Sequence, residues 1–196
     1  MGLTLHYGCS LKKASDLIEL VNEVKDICKE MEWKYHLWNE NNLEKYSTAT
    51  ERNDWTPEDL YGISFSVPEC EPFWLTFLPN GKLSSYLNIL AAPYYDEYEW
   101  IYRASTKTQF AGADVHMCLV KLLKHLHKKY LKDVSINDEG NYWETDNKEI
   151  LLERFNTYNH ILKVVEESLT NFKSIPKETP EQLAGRLEAF LKNKLS

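Results

Sequence analysis

A run of polar residues ahead of a predicted helix has the composition of an anion site. Lys107, Thr108 and Gln109 supply a positive charge and side-chain donors, and Gly112 permits close backbone approach. The unpaired N–H groups at a helix N-terminus attract anions, and a helix is predicted from about Asp114. The run lacks the glycine spacing and the Gly-Lys-Ser/Thr ending of a P-loop. The same residues are also typical of a strand-to-helix turn with polar caps, so both interpretations stay open.

A second constellation places three carboxylates and two aromatic rings within eight residues. Asp138, Glu139 and Glu144 could provide acid and base groups if their environments differ. Tyr142 and Trp143 lie among them, and rings beside carboxylates suit a sugar or a cation. The alternative is a strand–turn–helix connection in which the two rings fill the core. One loop does not show that its carboxylates converge.

The two segments define one hypothetical pocket. Strands predicted at 98–103 and 134–137 are joined by a helical crossover, so both loops would lie at the same end of the sheet if the strands are parallel neighbours. The predicted catalytic residues are Glu139, Glu144 and His116. The predicted ligand-binding residues are Lys107, Thr108, Gln109, Gly112, Tyr142 and Trp143. Segments 107–112 and 138–145 resemble parts of small bacterial α+β proteins, a resemblance that implies no activity.

Other reactive residue types give weaker signals. Cys70 lies between Glu69 and Glu71, and neighbouring carboxylates disfavour the thiolate that a nucleophile requires. His125 and His127 point about 200° apart on one helix, so they do not share a metal ion. No metal site is predicted. No motif for a dinucleotide or another cofactor occurs, and no cofactor is predicted.

Two surface features point to partners. The segment 94–102 mixes aromatic and acidic residues, a composition that suits a basic protein partner or, equally, an edge strand with one buried face. Lys121, Lys124 and Lys128 lie on one side of a predicted helix and could contact nucleic acid. A solvated helix face is the favoured interpretation of these lysines, because the chain has a net charge of −7.

Composition indicates a globular chain in a reducing compartment. The chain has 196 residues, which is ordinary for one domain, and 6 Trp and 12 Tyr suggest rings at half-wet sites. The four cysteines are dispersed, without a disulfide framework. Neither a signal peptide nor an 18-residue apolar window is found, so a soluble cytoplasmic protein without a membrane segment is expected.

Periodicity and turn signals define the elements. Strands are predicted at 3–7, 33–38, 61–67, 73–78, 83–89, 98–103 and 134–137, with Asn80-Gly81 as a hairpin turn and 39–59 as a long loop. Helices are predicted at 10–31 with Ser10 as cap, at 114–132, at 147–171 with an Asp146/Glu149 cap, and after Thr179-Pro180.

These elements predict a single α+β domain over residues 1–196. A mostly antiparallel central sheet of about six or seven strands would carry helices 10–31 and 114–132 on one face. Residues 147–196 would form a C-terminal helical pair in the same domain, a possible homodimer surface. A non-catalytic binding or interaction module is the first functional expectation. A small enzyme or ligand-binding domain at the hypothetical pocket is the alternative, with an anionic small molecule as its ligand.

Overall fold

The computed structural model describes residues 2–48, 54–94, 98–171 and 178–195. Short 3₁₀ turns occupy Glu40–Lys45, Pro57–Asp59, Ala92–Tyr94 and Tyr98–Tyr102. Within these residues the strands are β1 (Thr4–Leu11), β2 (Lys34–Trp38), β3 (Tyr61–Ser66), β4 (Phe73–Phe77), β5 (Leu83–Ser84), β6 (Ala104–Lys107) and β7 (Leu131–Asp138). The α-helices are α1 (Asp16–Glu30), α2 (Tyr86–Ala91), α3 (Ala113–Lys129), α4 (Tyr142–Thr145), α5 (Lys148–Asn171) and α6 (Pro180–Leu195).

The strands form two antiparallel sheets, so the prediction of one sheet of six or seven strands is wrong. One sheet has the order β6-β1-β7 and the other β2-β3-β4-β5. Within the described residues one isolated bridge, between Ser10 and Lys82, joins them, and a hydrogen bond from Leu11 N to Gly81 O supports it. β5 has only two residues and ends before it can extend this pairing. The α+β class and the antiparallel pairing are confirmed.

The first strand is longer and the first helix shorter than predicted. Ser10 does not cap α1, because it lies in β1 opposite Lys132. The turn before the helix is instead closed by Asp16, whose carboxylate accepts a hydrogen bond from Lys13 N at 3.1 Å. The predicted strand at 134–137 likewise extends over Leu131–Asp138 as β7.

The Asn80-Gly81 turn is confirmed, but the apolar run after it changes to helix. Gly81 has a φ of 81°, and Gly81 N donates to Leu78 O across the β4–β5 hairpin. Beyond Ser84 the predicted strand 83–89 is wrong. Ser85 caps α2 by accepting a hydrogen bond from Asn88 N at 3.2 Å. A short apolar run is compatible with either a strand or a helix, and the Ser85 N-cap favours the helix here.

The predicted strand at 98–103 is also wrong. Residues Tyr98–Tyr102 form a 3₁₀ turn, and the strand beside β1 is β6, which begins at Ala104. Asn88 holds this turn, because its Nδ2 donates to Trp100 O at 3.3 Å and to Arg103 O at 2.6 Å. Residues 95–97 of the acidic aromatic segment, and 49–53 of the predicted loop, lie outside the described residues.

The C-terminal helices begin with two different caps. Thr179 and Gln182 form the predicted capping box, with Gln182 N donating to Thr179 Oγ1 at 3.3 Å. At α5 the predicted Asp146 cap is wrong, because Asn147 Oδ1 accepts from Glu149 N at 2.8 Å. Leu151 and Phe155 anchor the first turns of α5 in the main core, and the rest of α5 packs with α6.

Helices α1 and α3 contact different sheets but share one core. α1 packs on β2 and β3, and α3 on β7. Glu23 of α1 joins them, with its carboxylate 2.5 Å from His125 Nε2, 2.9 Å from Lys129 Nζ and 2.6 Å from Tyr130 Oη. Burial opposes ionisation, but these three groups prevail and lower the pKa of Glu23 to about 2.

Candidate functional site

The two predicted site segments lie at one end of the three-stranded sheet. β6 and β7 are both antiparallel to β1, so they run parallel to each other with β1 between them. Thr4 faces Lys107 on one side, and Leu5 faces Asp138 on the other. The segments 107–112 and 138–145 therefore leave the sheet at the same end, where the chain crosses over through α3.

At this end the inner face of the sheet carries a buried polar row. Thr108 Oγ1 lies 2.8 Å from His116 Nδ1, and His116 Nε2 lies 2.9 Å from Asp138 Oδ1. All three side chains are almost completely buried. Thr108 Oγ1 also donates to Leu3 O at 3.3 Å, which ties the row to the backbone just before β1. The oxygen of Asp138 is off the N–H direction, so the contact is electrostatic rather than an aligned hydrogen bond.

Asp138 holds the start of the following loop. Its Oδ1 accepts from Gly140 N at 2.7 Å, and its Oδ2 accepts from Trp143 N at 2.8 Å. Burial raises the pKa of Asp138, but the His116 imidazole and these two N–H groups outweigh burial, and the pKa is lowered from its usual value. Both carboxylate oxygens are thus engaged inside the protein.

The predicted anion-binding residues are also used internally. Gln109 Oε1 accepts from Leu3 N at 2.9 Å, and Gln109 Nε2 donates to Asn159 of α5 at 2.7 Å. Gly112, with a φ of 90°, takes the cap position of α3, which begins at Ala113 rather than at Asp114. Asp114 lies in the first turn of α3, with its Oδ1 3.2 Å from Lys148 Nζ.

The remaining members of the predicted set spread outward from the buried row. Tyr142 is buried in the main core, whereas Trp143 is half-buried, with Lys124 Nζ 5.5 Å from its ring. Glu144 is exposed. Lys107 Nζ lies 5.4 Å from the ring of Phe110. The structure therefore brings Thr108, His116 and Asp138 together but leaves Lys107 and Glu144 outside this cluster.

A second row of the same three group types lies on the outer face of the sheet. Ser105 Oγ is 2.7 Å from His6 Nδ1, and His6 Nε2 is 3.9 Å from Glu139 Oε1. Glu139 Oε2 accepts from Thr4 N at 2.7 Å. Because successive strand residues point to opposite faces, Asp138 joins the inner row and Glu139 the outer row. Sequence reasoning missed His6 and Ser105, since their pairing depends on the register of strands about a hundred residues apart.

The outer face continues into two open cavities. From the His6 row, β1 runs through Gly8 to Ser10, and both residues line a cavity of about 380 Å³. A second cavity of about 310 Å³ shares Ser10, Lys82 and Asp133 with the first. Glu99 and Tyr102, which line the first cavity, belong to the predicted partner segment 94–102, and the residues shared by the two cavities belong to no predicted site.

The thiol between two glutamates is poorly suited to nucleophilic chemistry. Burial, followed by the charge of Glu71, raises the pKa of Cys70 to about 12. Its Sγ donates to Lys107 O at 3.3 Å. Within the described residues no group of three His, Cys, Asp or Glu side chains is arranged to hold a metal ion. Nor does this part of the chain contain a helix both long and apolar enough to cross a membrane.

Comparisons of this chain with models of protein families, with curated proteins and with solved structures found no significant match.

Proposed function

We propose that this chain is a non-catalytic protein-interaction module that binds a basic protein through helix α2 and the turns around it. The observation that carries the proposal is a concentration of exposed apolar side chains. Leu87 is 61% exposed, Leu90 48% and Tyr94 85%. Three of the eight exposed large hydrophobic residues in the described chain thus fall within eight positions. These three residues are called the α2 patch.

The spacing of the α2 patch presents one continuous surface. Leu87 and Leu90 are three residues apart on α2, and Tyr94 follows four residues later in the 3₁₀ turn that packs against the helix. Residues at these intervals lie on one side of a helix. Exposed apolar residues that cluster, unlike single ones, mark interaction surfaces.

Carboxylates outnumber cations beside the α2 patch, where Arg103 follows the second of two contacting turns. Helix α2 contacts the turns Pro57–Asp59 and Tyr98–Tyr102. These turns carry Glu58, Asp59 and Glu99, and neither they nor α2 contains a Lys or Arg. An apolar patch bordered by carboxylates is complementary to a partner that presents apolar anchors among Lys and Arg side chains.

Buried residues beneath α2 hold the α2 patch in place, so binding a partner would cost little conformational entropy. Ile89 is buried together with Trp55, Leu60 and Ile101 in a second, smaller core. Asn88 ties the helix to the Tyr98–Tyr102 turn through two backbone oxygens. A preformed surface of this kind retains more of the binding free energy than one that must order first.

The enzymatic alternative has less geometric support. Of the proposed catalytic residues, His116 is enclosed in the buried row. Glu139 accepts a backbone hydrogen bond and lies beyond hydrogen-bond distance from His6. Glu144 is exposed and lies outside that cluster. Among the described residues the predicted acid and base groups are therefore not brought together at this end of the sheet.

Site-specific photocrosslinking in cells tests the proposal. A photoreactive residue replaces Leu90, and in the matched control it replaces Met31, which is 50% exposed on α1's C-terminal cap. We expect position 90 to give one discrete adduct with a basic protein and position 31 to give none. The adduct should disappear when Glu58→Lys and Glu99→Lys are added, since the charge complementarity is then reversed. Equal adducts at both positions, or insensitivity to the charge reversal, would refute the proposal.

A further inference from the structure

The smaller of the two cavities is lined by lysines from separate parts of the chain. Lys12 and Lys13 come from the end of β1 and the turn before α1, Lys82 from the β4–β5 hairpin and Lys132 from β7. Asp133 is the one carboxylate among its lining residues. The cavity, called the lysine groove, has a volume of about 310 Å³ and an excess of three positive charges. That excess is notable because the whole chain has a net charge of −7.

Strand register builds the groove. Ser10 bridges Lys82 on one side and faces Lys132 on the other, so the three side chains form a row across the sheet. An irregularity in β7 opposite the Gly8–Ser10 stretch makes this alignment possible, and Asp133 there has a φ of 51°. β7 has one more residue than β1 in this stretch. With this insertion Leu131 stays in the core and Lys132 lies on the open face.

The spacing of this row suits a phosphate. Neighbouring strands are about 4.8 Å apart, so Lys82 and Lys132 start about 10 Å from each other, two strand spacings. Two long side chains at this distance can close on a phosphate from both sides. Within the described residues, Lys13, Lys82 and Lys132 have no carboxylate within ion-pair distance. Their mutual repulsion is therefore left for an anion to relieve.

The adjoining cavity of about 380 Å³ offers space for an organic group. It shares Ser10, Lys82 and Asp133 with the lysine groove and is also lined by Glu99 and Tyr102. The Tyr102 ring is fixed, because its hydroxyl accepts from Asn80 Nδ2 at 3.2 Å and Lys82 Nζ lies 4.3 Å from the ring centre. An aromatic ring and a carboxylate beside a cationic groove match a ligand with a planar or hydroxyl-bearing body and a phosphate at one end.

We propose that the lysine groove is a binding site for a small organic phosphate, with the phosphate between Lys82 and Lys132 and the organic body against Tyr102. This site does not include the residues of the α2 patch, although its adjoining cavity shares Glu99 with the acidic border of that patch, and it does not depend on the function proposed for the patch. Phosphodiester nucleic acid is a different class of ligand and is disfavoured, because the chain has a net charge of −7 and Asp133 of the groove would repel a continuous phosphate chain.

Isothermal titration calorimetry with inorganic pyrophosphate and with AMP tests the site. Both should bind at one equivalent, and adenosine should not bind at the same concentrations. Lys82→Gln and Lys132→Gln should each weaken binding by about tenfold or more, since each removes a charged partner of the phosphate. Lys121→Gln is the matched control, because it makes the same charge change on an exposed part of α3 outside the groove. It should leave the affinity unchanged.

A variant that is expected to strengthen binding makes the test more specific. Asp133→Asn removes the carboxylate of the groove, and Asn tolerates the left-handed backbone at this position. It should therefore strengthen AMP binding by a few fold. The proposal is overturned if the Lys82 and Lys132 variants bind as wild type, or if Lys121→Gln loses as much affinity as they do. Tighter binding of a single-stranded oligonucleotide than of AMP would also overturn it in favour of a nucleic-acid surface.

Discussion

The inner and outer faces of the three-stranded sheet carry the same three chemical groups in the same order. Inside, the row is Thr108, His116 and Asp138; outside, it is Ser105, His6 and Glu139. In both rows the hydroxyl lies at Nδ1 and the carboxylate at Nε2. The inner row is enclosed and its carboxylate is met by backbone N–H groups, whereas His6 is 40% and Glu139 35% exposed.

The difference shows that residue type and mutual distance do not define an active site. The inner row has tight contacts but no solvent access, so its groups stabilise the crossover from β6 through α3 to β7. The outer row has access but a loose contact of 3.9 Å between His6 and Glu139. Catalysis requires close contacts among the three groups and access for a substrate. The inner row has only the contacts, and the outer row has only the access.

The largest expected effect distinguishes the two histidines. His116→Leu should lower the free energy of unfolding by about 2 to 4 kcal/mol, because the buried Asp138 carboxylate loses the imidazole 2.9 Å away and retains the two backbone N–H groups. His6→Leu should change it by no more than about 0.5 kcal/mol, since His6 lies on an open surface. Urea unfolding followed by circular dichroism measures both values. Equal costs would contradict the assignment of the inner row as structural.

The next effect separates the two neighbouring carboxylates by their response to pH. The pKa of Asp138 is lowered in the folded chain, so its stabilising contribution is complete above the unfolded value of about 3.9 and is lost as the pH falls through the folded value. Asp138→Asn lacks this contribution. The difference in free energy of unfolding between wild type and Asp138→Asn should be largest near neutral pH and should shrink below about pH 4.

Glu139→Gln is the control for this pH series. Its carboxylate is about one-third exposed, so its loss should cost less than about 1 kcal/mol. Glu23 also titrates at low pH in every variant, and comparison with wild type at each pH cancels its contribution. A pH-independent deficit for Asp138→Asn would show that its charge is not what stabilises the loop.

Local signals predicted much of the fold. The Asn80-Gly81 turn, the Thr179–Gln182 box and, apart from the start of the first and its cap, the long periodic helices are correctly predicted, because each depends on neighbouring residues. The runs at 83–89 and 98–103 were assigned to strands in error. A short apolar run is compatible with strand and helix alike, and the Ser85 cap and the Asn88 side chain decide the outcome through contacts.

The candidate sites were less predictable, because they depend on the register in which distant strands pair. The prediction that 107–112 and 138–145 share one end of the sheet assumed that strands at 98–103 and 134–137 are parallel neighbours. The strands that lead into these segments are instead β6 and β7, and β1 lies between them. Which face Asp138 or Glu139 occupies depends on pairing with β1, more than a hundred residues away. The lysine groove draws on the β1 end, a hairpin and an irregularity in β7, and no local pattern encodes that combination.

The smallest expected effect concerns the reactivity of the outer hydroxyl. Treatment with a fluorophosphonate should modify Ser105 no faster than Ser135, which is exposed on β7 of the same sheet and faces Gly8 rather than a histidine. The reason is that His6 contacts Ser105 but is not coupled to Glu139 at hydrogen-bond distance, so the hydroxyl remains an ordinary one. Peptide mapping by mass spectrometry gives both rates. If Ser105 is labelled selectively and His6→Leu abolishes that labelling, the outer row forms an active nucleophile. That result would favour the enzymatic alternative over the binding proposal.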